Sequence, residues 1–249
     1  LQCPFTGTDW LDPERIPQNV DVCNAFGMDL AIAEYVMAAL LHMELRLDLV
    51  NEEFHRSRTF RPPWAPPPAG QEPFQFRNEL KGKTVALIGF GHIGQEIAAR
   101  ASAFGMIVEA IVKRPRKSPP PSPLAYWGAG DVALGEVLGR ADYVVLCCPL
   151  DDSSHHLLND ARLKQLKPSA ILVNVGRGPL VDEEALYNSL SEKSLRGAVL
   201  DVWFKYPDLK SPVEGEFWPS TKPFHELDNV LMTPHCSGWT REQEDRLME

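Results

Sequence analysis

The chain has 249 residues, 44% of them hydrophobic and 24% charged, which is enough for one large or two ordinary domains and excludes disorder of the whole. No apolar run approaches the roughly 20 residues that cross a bilayer, so we expect no membrane partner. The net charge of −9 disfavours a nucleic-acid partner, and five cysteines without framework spacing favour a reducing, cytoplasmic location.

The first long element is a helix over residues 29–50, where apolar residues recur at three- and four-residue steps. We predict that this helix is largely buried. The proline-rich sequence RPPWAPPPAG follows it, and we interpret residues 61–73 as a linker or surface loop.

After residue 80, short apolar runs alternate with helical patterns. Strands are predicted at residues 83–91, 106–112, 141–149, 170–176, 197–203 and 229–234, and helices at residues 93–104, 159–166 and 182–193. The predicted fold class is therefore α/β, with a doubly wound parallel sheet of the Rossmann type that is covered by helices on both faces.

The first of these strands ends in a glycine motif. Gly89, Gly91 and Gly94 have G-x-G-x-x-G spacing, and they lie between a predicted strand and a predicted helix, as a dinucleotide site requires. Gly89 allows the tight turn, Gly91 lets the backbone approach a pyrophosphate, and Gly94 lets helix and strand pack closely. The alternative is a glycine-rich turn without a ligand.

The second strand ends without the carboxylate that would bind the ribose hydroxyls of NAD. Instead, Lys113 and Arg114 open the cationic sequence KRPRK, and cations bind a 2′-phosphate that a carboxylate would repel. The predicted cofactor is NADP or NAD, with NADP slightly favoured, and the alternative is a solvated basic loop. His155 and His156 have the spacing of a loop, and we expect no metal site.

The glycine motif lies within ELKGKTVALIGFGHIG, and three further motifs follow it along the chain: ILVNVGRGPLVDEEAL, GAVLDVW and NVLMTPHCSG. In this order they resemble the D-isomer-specific 2-hydroxyacid dehydrogenases, a family that includes phosphoglycerate dehydrogenase, glyoxylate/hydroxypyruvate reductase and formate dehydrogenase. The resemblance runs over nearly the whole chain. It implies hydride transfer between NAD(P)H and a small 2-keto acid or D-2-hydroxy acid.

The resemblance also assigns roles to single residues. Arg177 would bind the substrate carboxylate, together with backbone around Thr6 and Gly7. Asp201 would contact the nicotinamide end of the cofactor. The other positions that would line the cofactor are His92, Ile93, Cys148 and Val175.

His235, in TPHCSG, matches the catalytic histidine of the family, which gives a proton to the carbonyl oxygen as hydride arrives. In most members a glutamate just before a proline pairs with this histidine. Here Tyr206 stands before the proline, and the glutamate is absent. The tyrosine hydroxyl could supply the hydrogen bond, or Asp208, Glu214 or Glu216 could replace the glutamate.

The domain boundaries follow from the same resemblance. Residues 1–28 would be the remnant of a truncated flavodoxin-like substrate domain, residues 29–234 the NAD(P)-binding domain with its interdomain helix at 29–50, and residues 235–249 the start of the return to the substrate domain. We therefore expect a fragment of a longer protein. We also expect a homodimer, because the interdomain helix of the family contributes to a dimer interface. A non-catalytic dinucleotide-sensing scaffold of the corepressor type and an inactive fragment stay open as alternatives.

Overall fold

The computed structural model describes residues 1–3, 7, 11, 13–25, 27–60, 77–114, 119–208 and 215–248, and the predicted loop at 61–73 lies outside them. In chain order the strands are β1 (Gln2–Cys3), β2 (Cys23–Asn24), β3 (Thr84–Ile88), β4 (Ile107–Ile111), β5 (Tyr126–Gly128), β6 (Tyr143–Leu146), β7 (Ile171–Asn174), β8 (Gly197–Leu200) and β9 (Val230–Met232). The helices are α1 (Asp29–Leu45), α2 (Leu47–Ser57), α3 (His92–Ala103), α4 (Gly130–Arg140), α5 (Asp160–Leu163), α6 (Glu183–Ser191) and α7 (Arg241–Met248). Within the described ranges, no helix is both long enough and apolar enough to cross a membrane.

The main sheet is parallel, with the strand order β5-β4-β3-β6-β7-β8-β9. This order confirms the predicted doubly wound α/β fold. β1 and β2 form a separate parallel pair. The direction of winding reverses between β3 and β6, and sheets of this kind bind ligands at the carboxyl ends of the strands that flank such a point.

The central strands β6, β7 and β8 are buried on both faces, as a parallel sheet requires, whereas the edge strands β5 and β9 are only partly buried. Along β3, Val85 and Leu87 pack into one apolar layer with α1 and α3. Ala86 and Ile88 point the other way, into a second layer formed with α4, α5 and α6. Both layers hold the sheet rigid, so that the loops at its carboxyl edge are carried by a fixed frame.

The prediction of one largely buried helix over residues 29–50 is wrong in its extent. α1 ends at Leu45, Arg46 adopts a left-handed conformation with φ of 43°, and α2 begins at Leu47. α1 is buried along much of its length, whereas α2 buries none of its residues. The apolar periodicity of the sequence continues across the break. It indicates an apolar stripe along a helix, but it does not indicate whether another element covers that stripe.

Two elements of the sheet domain were missed by the sequence analysis. β5 is an edge strand of three residues, too short to show alternation. α4 contains Gly130, Gly135 and Gly139, and glycine lowers helix propensity by about 1 kcal/mol relative to alanine. The buried residues Leu134, Val137 and Leu138 nevertheless have helical spacing, and that spacing was the available signal.

A buried carboxylate fixes α1 to the sheet. Glu44 accepts hydrogen bonds from the Arg196 guanidinium at 2.6 and 2.9 Å, from the Tyr143 hydroxyl at 2.6 Å and from the Asn78 amide at 3.2 Å. Burial alone would raise the pKa of Glu44, but the donors outweigh burial and lower it. The C-terminal end of α1 is therefore held by the ionised carboxylate of Glu44. Its partner Arg196 lies just before β8, and its partner Tyr143 is the first residue of β6.

Candidate active site

All seven strands of the main sheet end at the same level, since Gly128 at the end of β5 also pairs with Ile111. The register pairs Ile88 with Ile111 and Leu146, Leu146 with Asn174, Asn174 with Leu200, and Leu200 with Met232. The segments that follow these residues include the glycine motif, the basic segment, the arginine motif and the histidine motif. All of them leave the sheet at one edge.

The glycine turn has the geometry that the motif predicted. Gly89 has a φ of 110°, and a β-carbon there would lie 2.9 Å from the carbonyl oxygen of Cys147. A β-carbon on Gly94 would lie 2.6 Å from the carbonyl oxygen of Gly89, whereas one on Gly91 would meet no atom within 4 Å. No side chain caps α3 at Gly91. The space over Gly91 and the start of α3 therefore fit the pyrophosphate of a dinucleotide.

The side chains at the other predicted cofactor positions differ in how far they are buried. His92 is exposed in the first turn of α3, while Ile93 and Val175 pack into the layer formed with α1. The Cys148 side chain is half-buried against the opposite layer, and burial raises its pKa to about 11. Their contacts with cofactor stay predictions.

The two predicted cations at the end of β4 have different surroundings. Lys113 forms an ion pair of 2.7 Å with Asp151, which follows β6, and this pairing lowers the pKa of the Asp151 carboxyl. Since β3 lies between β4 and β6, the pair spans the carboxyl end of β3. Arg114 is exposed, and no described residue forms an ion pair or hydrogen bond with its guanidinium.

Arg177 follows β7 in a loop that Asn174 holds. The buried Asn174 amide donates to the carbonyl oxygen of Arg177 at 2.9 Å and accepts from the backbone N–H of Gly176 at 3.2 Å. The half-buried Arg177 guanidinium donates to the carbonyl oxygen of Gly176 at 2.8 Å. The next residue, Gly178, lies so close to the segment after β8 that a β-carbon there would be 2.1 Å from the carbonyl oxygen of Trp203. The arginine loop thus touches the segment that contains Tyr206.

The fully buried carboxylate of Asp201 organises the histidine loop. It accepts hydrogen bonds from the Thr233 hydroxyl at 2.6 Å and from the backbone N–H groups of Cys236 at 2.8 Å and Ser237 at 3.0 Å. The Thr233 hydroxyl in turn bonds to the Tyr35 hydroxyl of α1 at 2.7 Å. Asp201 therefore has a structural task that the sequence analysis did not foresee, and its predicted contact with nicotinamide stays a prediction.

His235 stands exposed at the tip of this loop, in a left-handed conformation with φ of 56°. Its Nδ1 atom lies 2.9 Å from the Tyr206 hydroxyl, in hydrogen-bond contact. The same hydroxyl accepts the backbone N–H of Trp203 at 3.1 Å. A tyrosine thus makes the contact at the position where the family usually has glutamate. Glu214, one of the acidic residues considered as a replacement for that glutamate, lies outside the described residues.

The segment that precedes β9 is held against α6 by hydrogen bonds. Glu183 accepts hydrogen bonds from the Ser220 hydroxyl, the Thr221 hydroxyl and the Thr221 backbone N–H, each at 2.6 Å. Burial opposes ionisation of Glu183, but these donors outweigh burial and lower its pKa. Trp218 of the same segment lies with its ring centroid 5.8 Å from that of Trp203. The segment therefore supports the tryptophan whose indole N–H donates to the carbonyl oxygen of Thr233.

A cleft of about 580 Å³ lies beside the glycine turn, between α3 and the connection from β4 to β5, and Phe90 of that turn is part of its wall. Its lining residues are Phe90, Gln95, Ala99, Val112, Pro119, Pro121, Ser122, Pro123 and Trp127. None of them is acidic, basic or nucleophilic beyond a single serine. We therefore assign the chemistry to the loops at the carboxyl ends of the strands and not to this cleft.

Comparison with known proteins decides the family. The model of the D-isomer specific 2-hydroxyacid dehydrogenase NAD binding domain matches residues 37–237. The chain belongs to this family. The resemblance inferred from the four sequence motifs is thereby confirmed, and the matched residues correspond to the NAD binding domain of the family.

Relatives of this chain include a glyoxylate reductase of Pyrococcus furiosus, 40% identical over 171 residues that cover 69% of this chain and 46% of the relative. A D-3-phosphoglycerate dehydrogenase of Haemophilus influenzae is 32% identical over 248 residues, covering 98% and 55%. Among solved structures, an acyclic imino acid reductase in complex with NADPH and D-Arg has a TM-score of 0.76 at 27% identity, covering 99% of this chain and 71% of that chain. The chain spans about half the length of these two curated relatives.

Three residues that support the candidate site were not found from the sequence. Asn174 holds the arginine loop, Thr233 links α1 to Asp201, and Asp151 pairs with Lys113. The available signal was a polar side chain directly at or after the end of an apolar strand. Thr6, predicted to contact substrate, lies outside the described residues, whereas Gly7 is described and half-buried.

Proposed function

We propose that the chain carries the cofactor-binding and catalytic part of an NAD(P)H-dependent reductase of small 2-keto acids, acting in reverse as a D-2-hydroxyacid dehydrogenase. Arg177 binds the substrate carboxylate, together with backbone near Thr6 and Gly7. His235 gives a proton to the carbonyl oxygen in reduction and takes it back in oxidation. Bound NAD(P)H supplies the hydride. The glyoxylate reductase and phosphoglycerate dehydrogenase among the relatives support an enzyme over a non-catalytic scaffold.

The observation that carries this proposal is the placement of His235. The histidine is exposed at the carboxyl edge of the sheet, Tyr206 contacts its Nδ1 atom, and the arginine loop packs against the same segment. Since Tyr206 contacts Nδ1, we assign the proton transfer with the carbonyl oxygen to Nε2. Positioned proton transfer of this kind typically accelerates a reaction about 10²–10⁴-fold.

The direct test is oxidation of NADPH and NADH by the full-length protein with glyoxylate or hydroxypyruvate. We expect turnover with at least one of these acids. Binding of either dinucleotide without any turnover, across a panel of small 2-keto acids, would support the non-catalytic scaffold instead.

We further propose that NADP(H) is preferred and that Arg114 binds its 2′-phosphate. Lys113 is already paired with Asp151, so Arg114 is the cation better placed to accept a new anion. Arg114→Ala should raise the KM for NADPH far more than the KM for NADH. Asp151→Asn, which releases Lys113, should lower the KM for NADPH. Equal effects of Arg114→Ala on both cofactors would refute the phosphate role.

We also propose that the chain forms homodimers through α2. Leu47, Val50 and Phe54 recur at helical spacing on one face and are 57%, 43% and 54% exposed. An apolar stripe on a helix none of whose own residues is buried in the described part of the chain fits a self-complementary contact with a second copy.

Finally, we propose a cytoplasmic location. The adjacent Cys147 and Cys148 have pKa values raised by burial, so both remain protonated thiols at neutral pH. Thiols of this kind suit a reducing compartment. Fractionation of source cells tests this, and recovery in an oxidising compartment would contradict it.

A further inference from the structure

The histidine loop is fixed on both sides of His235 by one carboxylate. Before His235, Asp201 accepts the Thr233 hydroxyl at 2.6 Å. After His235, the same carboxylate accepts the backbone N–H groups of Cys236 at 2.8 Å and Ser237 at 3.0 Å. His235 itself has a φ of 56°, and a non-glycine residue keeps such a backbone only where its surroundings hold it. The three bonds flank this residue and therefore hold its conformation.

The bond that precedes His235 continues beyond the loop to α1. Thr233 has one hydroxyl hydrogen, and a carboxylate oxygen only accepts, so this hydrogen goes to Asp201. The Tyr35 hydroxyl lies 2.7 Å from the Thr233 oxygen, so Tyr35 donates its own hydrogen there. Burial raises the pKa of Tyr35 to about 12, which keeps that hydrogen in place at physiological pH. The hydrogen bonds thus run in one direction, from Tyr35 to Thr233 and from Thr233 to Asp201.

We propose, resting on the proposed function, that Tyr35 and Thr233 are positioning residues for His235. Both act through the Asp201 carboxylate and not through a contact with substrate or cofactor. A hydroxyl that accepts one hydrogen bond becomes a stronger donor in the next, so Tyr35 strengthens the bond from Thr233 to Asp201. Helix α1 thereby contributes to the site, although no predicted site residue lies on it.

Other contacts of Thr233 do not replace this chain of hydroxyl bonds. The Cys236 thiol lies beside Thr233 and Asp201, and burial together with the charge of Asp201 raises its pKa. A protonated thiol is only a weak hydrogen-bond donor. The backbone of Thr233 is held separately, because its N–H donates to the Leu200 carbonyl oxygen at 3.0 Å and its carbonyl oxygen accepts the Trp203 indole N–H at 2.9 Å. Removal of the Thr233 hydroxyl therefore tests the chain of bonds while these backbone contacts remain.

The test removes each hydroxyl in turn. Thr233→Val keeps a branched side chain of nearly the same shape, and Tyr35→Phe removes only the phenol oxygen. We expect kcat for keto-acid reduction to fall by up to about 10²-fold in Thr233→Val, with little change in KM for the keto acid, because a slightly misplaced catalytic group costs that much. Tyr35→Phe should lower kcat less. Thr233→Ser, which keeps a hydroxyl, should restore most of the wild-type rate.

The double variant distinguishes a chain of bonds from two independent effects. Because Tyr35 acts through the Thr233 hydroxyl, Tyr35→Phe should cost nothing further in kcat in the Thr233→Val background. Tyr143→Phe is the matched control, since it removes a hydroxyl bond of 2.6 Å to Glu44 that fixes α1 but does not reach the histidine loop. This control should lower the melting temperature and keep the wild-type kcat. Additive losses in the double variant, or wild-type kcat in Thr233→Val, would overturn the proposal.

A measurement without substrate separates this inference from the proposed function. Hydrogen exchange followed by NMR reports how firmly the Cys236 and Ser237 N–H groups are bonded to Asp201. Their exchange should quicken about tenfold or more in Thr233→Val, which loses a charged hydrogen bond, and should stay at the wild-type rate in Thr233→Ser and Tyr143→Phe. This result supports the inference even if the wild type turns over no keto acid, which would defeat only the proposed function. Wild-type exchange in Thr233→Val would overturn the inference, whatever the turnover.

Discussion

At the scale of single residues, the glycines of the turn after β3 fall into two groups. Packing of the chain itself requires two of them, whereas it does not require the third. Side chains on Gly89 or Gly94 would collide with backbone atoms of the chain itself. A side chain on Gly91 would collide with nothing within 4 Å, and its φ of −84° is open to any residue. The fold therefore does not explain the glycine at position 91, and we propose that a bound dinucleotide does.

Gly91→Ala and Gly94→Ala should consequently fail in different ways. Gly94→Ala should destabilise the protein by roughly 1–3 kcal/mol, the usual cost of overpacking. Gly91→Ala should keep the wild-type melting temperature but lose the rise in melting temperature that NADPH produces. Thermal unfolding with and without NADPH measures both, and wild-type NADPH affinity in Gly91→Ala would contradict the assignment.

Arg177→Lys should weaken substrate binding although the charge is kept. A guanidinium can make two parallel hydrogen bonds to a carboxylate, whereas an ammonium binds as a point charge. Losing one charged hydrogen bond, worth about 1.5–3 kcal/mol, corresponds to a KM for the keto acid roughly tenfold to a hundredfold higher. Steady-state kinetics gives this value, with the dissociation constant for NADPH as a control that should not change. An unchanged KM for the keto acid would remove Arg177 from substrate binding.

Single residues were predictable where a motif is local in sequence and unpredictable where a contact crosses the sheet. The glycine turn and the placement of Arg177 and His235 after strands could be read from short patterns. The bonds from Thr233 to Asp201 and from Asp151 to Lys113 join residues 32 and 38 positions apart. The register of neighbouring strands creates these bonds, and one sequence does not reveal that register in atomic detail.

At the scale of elements, α1 and α2 are joined at Arg46 but have opposite roles. α1 is fixed to the sheet by Glu44 and carries Tyr35, which reaches the histidine loop through Thr233. α2 buries nothing and presents an apolar stripe. The break was not predicted because Arg46, like most non-glycine residues in a left-handed conformation, carries no clear sequence signal.

Glu44→Gln should cost about 3 kcal/mol in the free energy of unfolding, since it leaves the charge of Arg196 without its partner. The folded-state pKa of Glu44 is lowered, so its stabilisation is present above the unfolded pKa and is lost as pH falls through the folded value. The difference between wild type and variant in urea unfolding should therefore shrink with acidification. Asp228→Asn, which removes a surface ion pair with Lys193, should change stability by less than about 1 kcal/mol. An equally small effect of Glu44→Gln would contradict the anchoring role.

Phe54→Asp should convert the proposed dimer to monomers without lowering monomer stability, because Phe54 is not part of the core. Val132→Asp is the matched control, since Val132 is an exposed apolar residue on α4 at 79% exposure. Sedimentation velocity measures both. A dimer that survives Phe54→Asp, or a monomeric wild type, would contradict the assignment of α2.

At the scale of the whole molecule, the doubly wound topology explains why distant motifs meet. Parallel strands in register deliver their following loops to one edge, and the reversal between β3 and β6 opens the crevice there. This part of the architecture was predictable from the alternation of strands and helices. The sequence could not show that the histidine loop hangs from one buried carboxylate and touches a tyrosine, because that depends on the packing of three loops.

The central claim is that His235 transfers the proton, and His235→Asn tests it most directly. Asparagine tolerates the left-handed backbone at this position better than alanine, so the loop should keep its shape. If the proposed activity holds, kcat for keto-acid reduction should fall about 10²–10⁴-fold while the dissociation constant for NADPH stays unchanged. Wild-type turnover in His235→Asn would contradict the account.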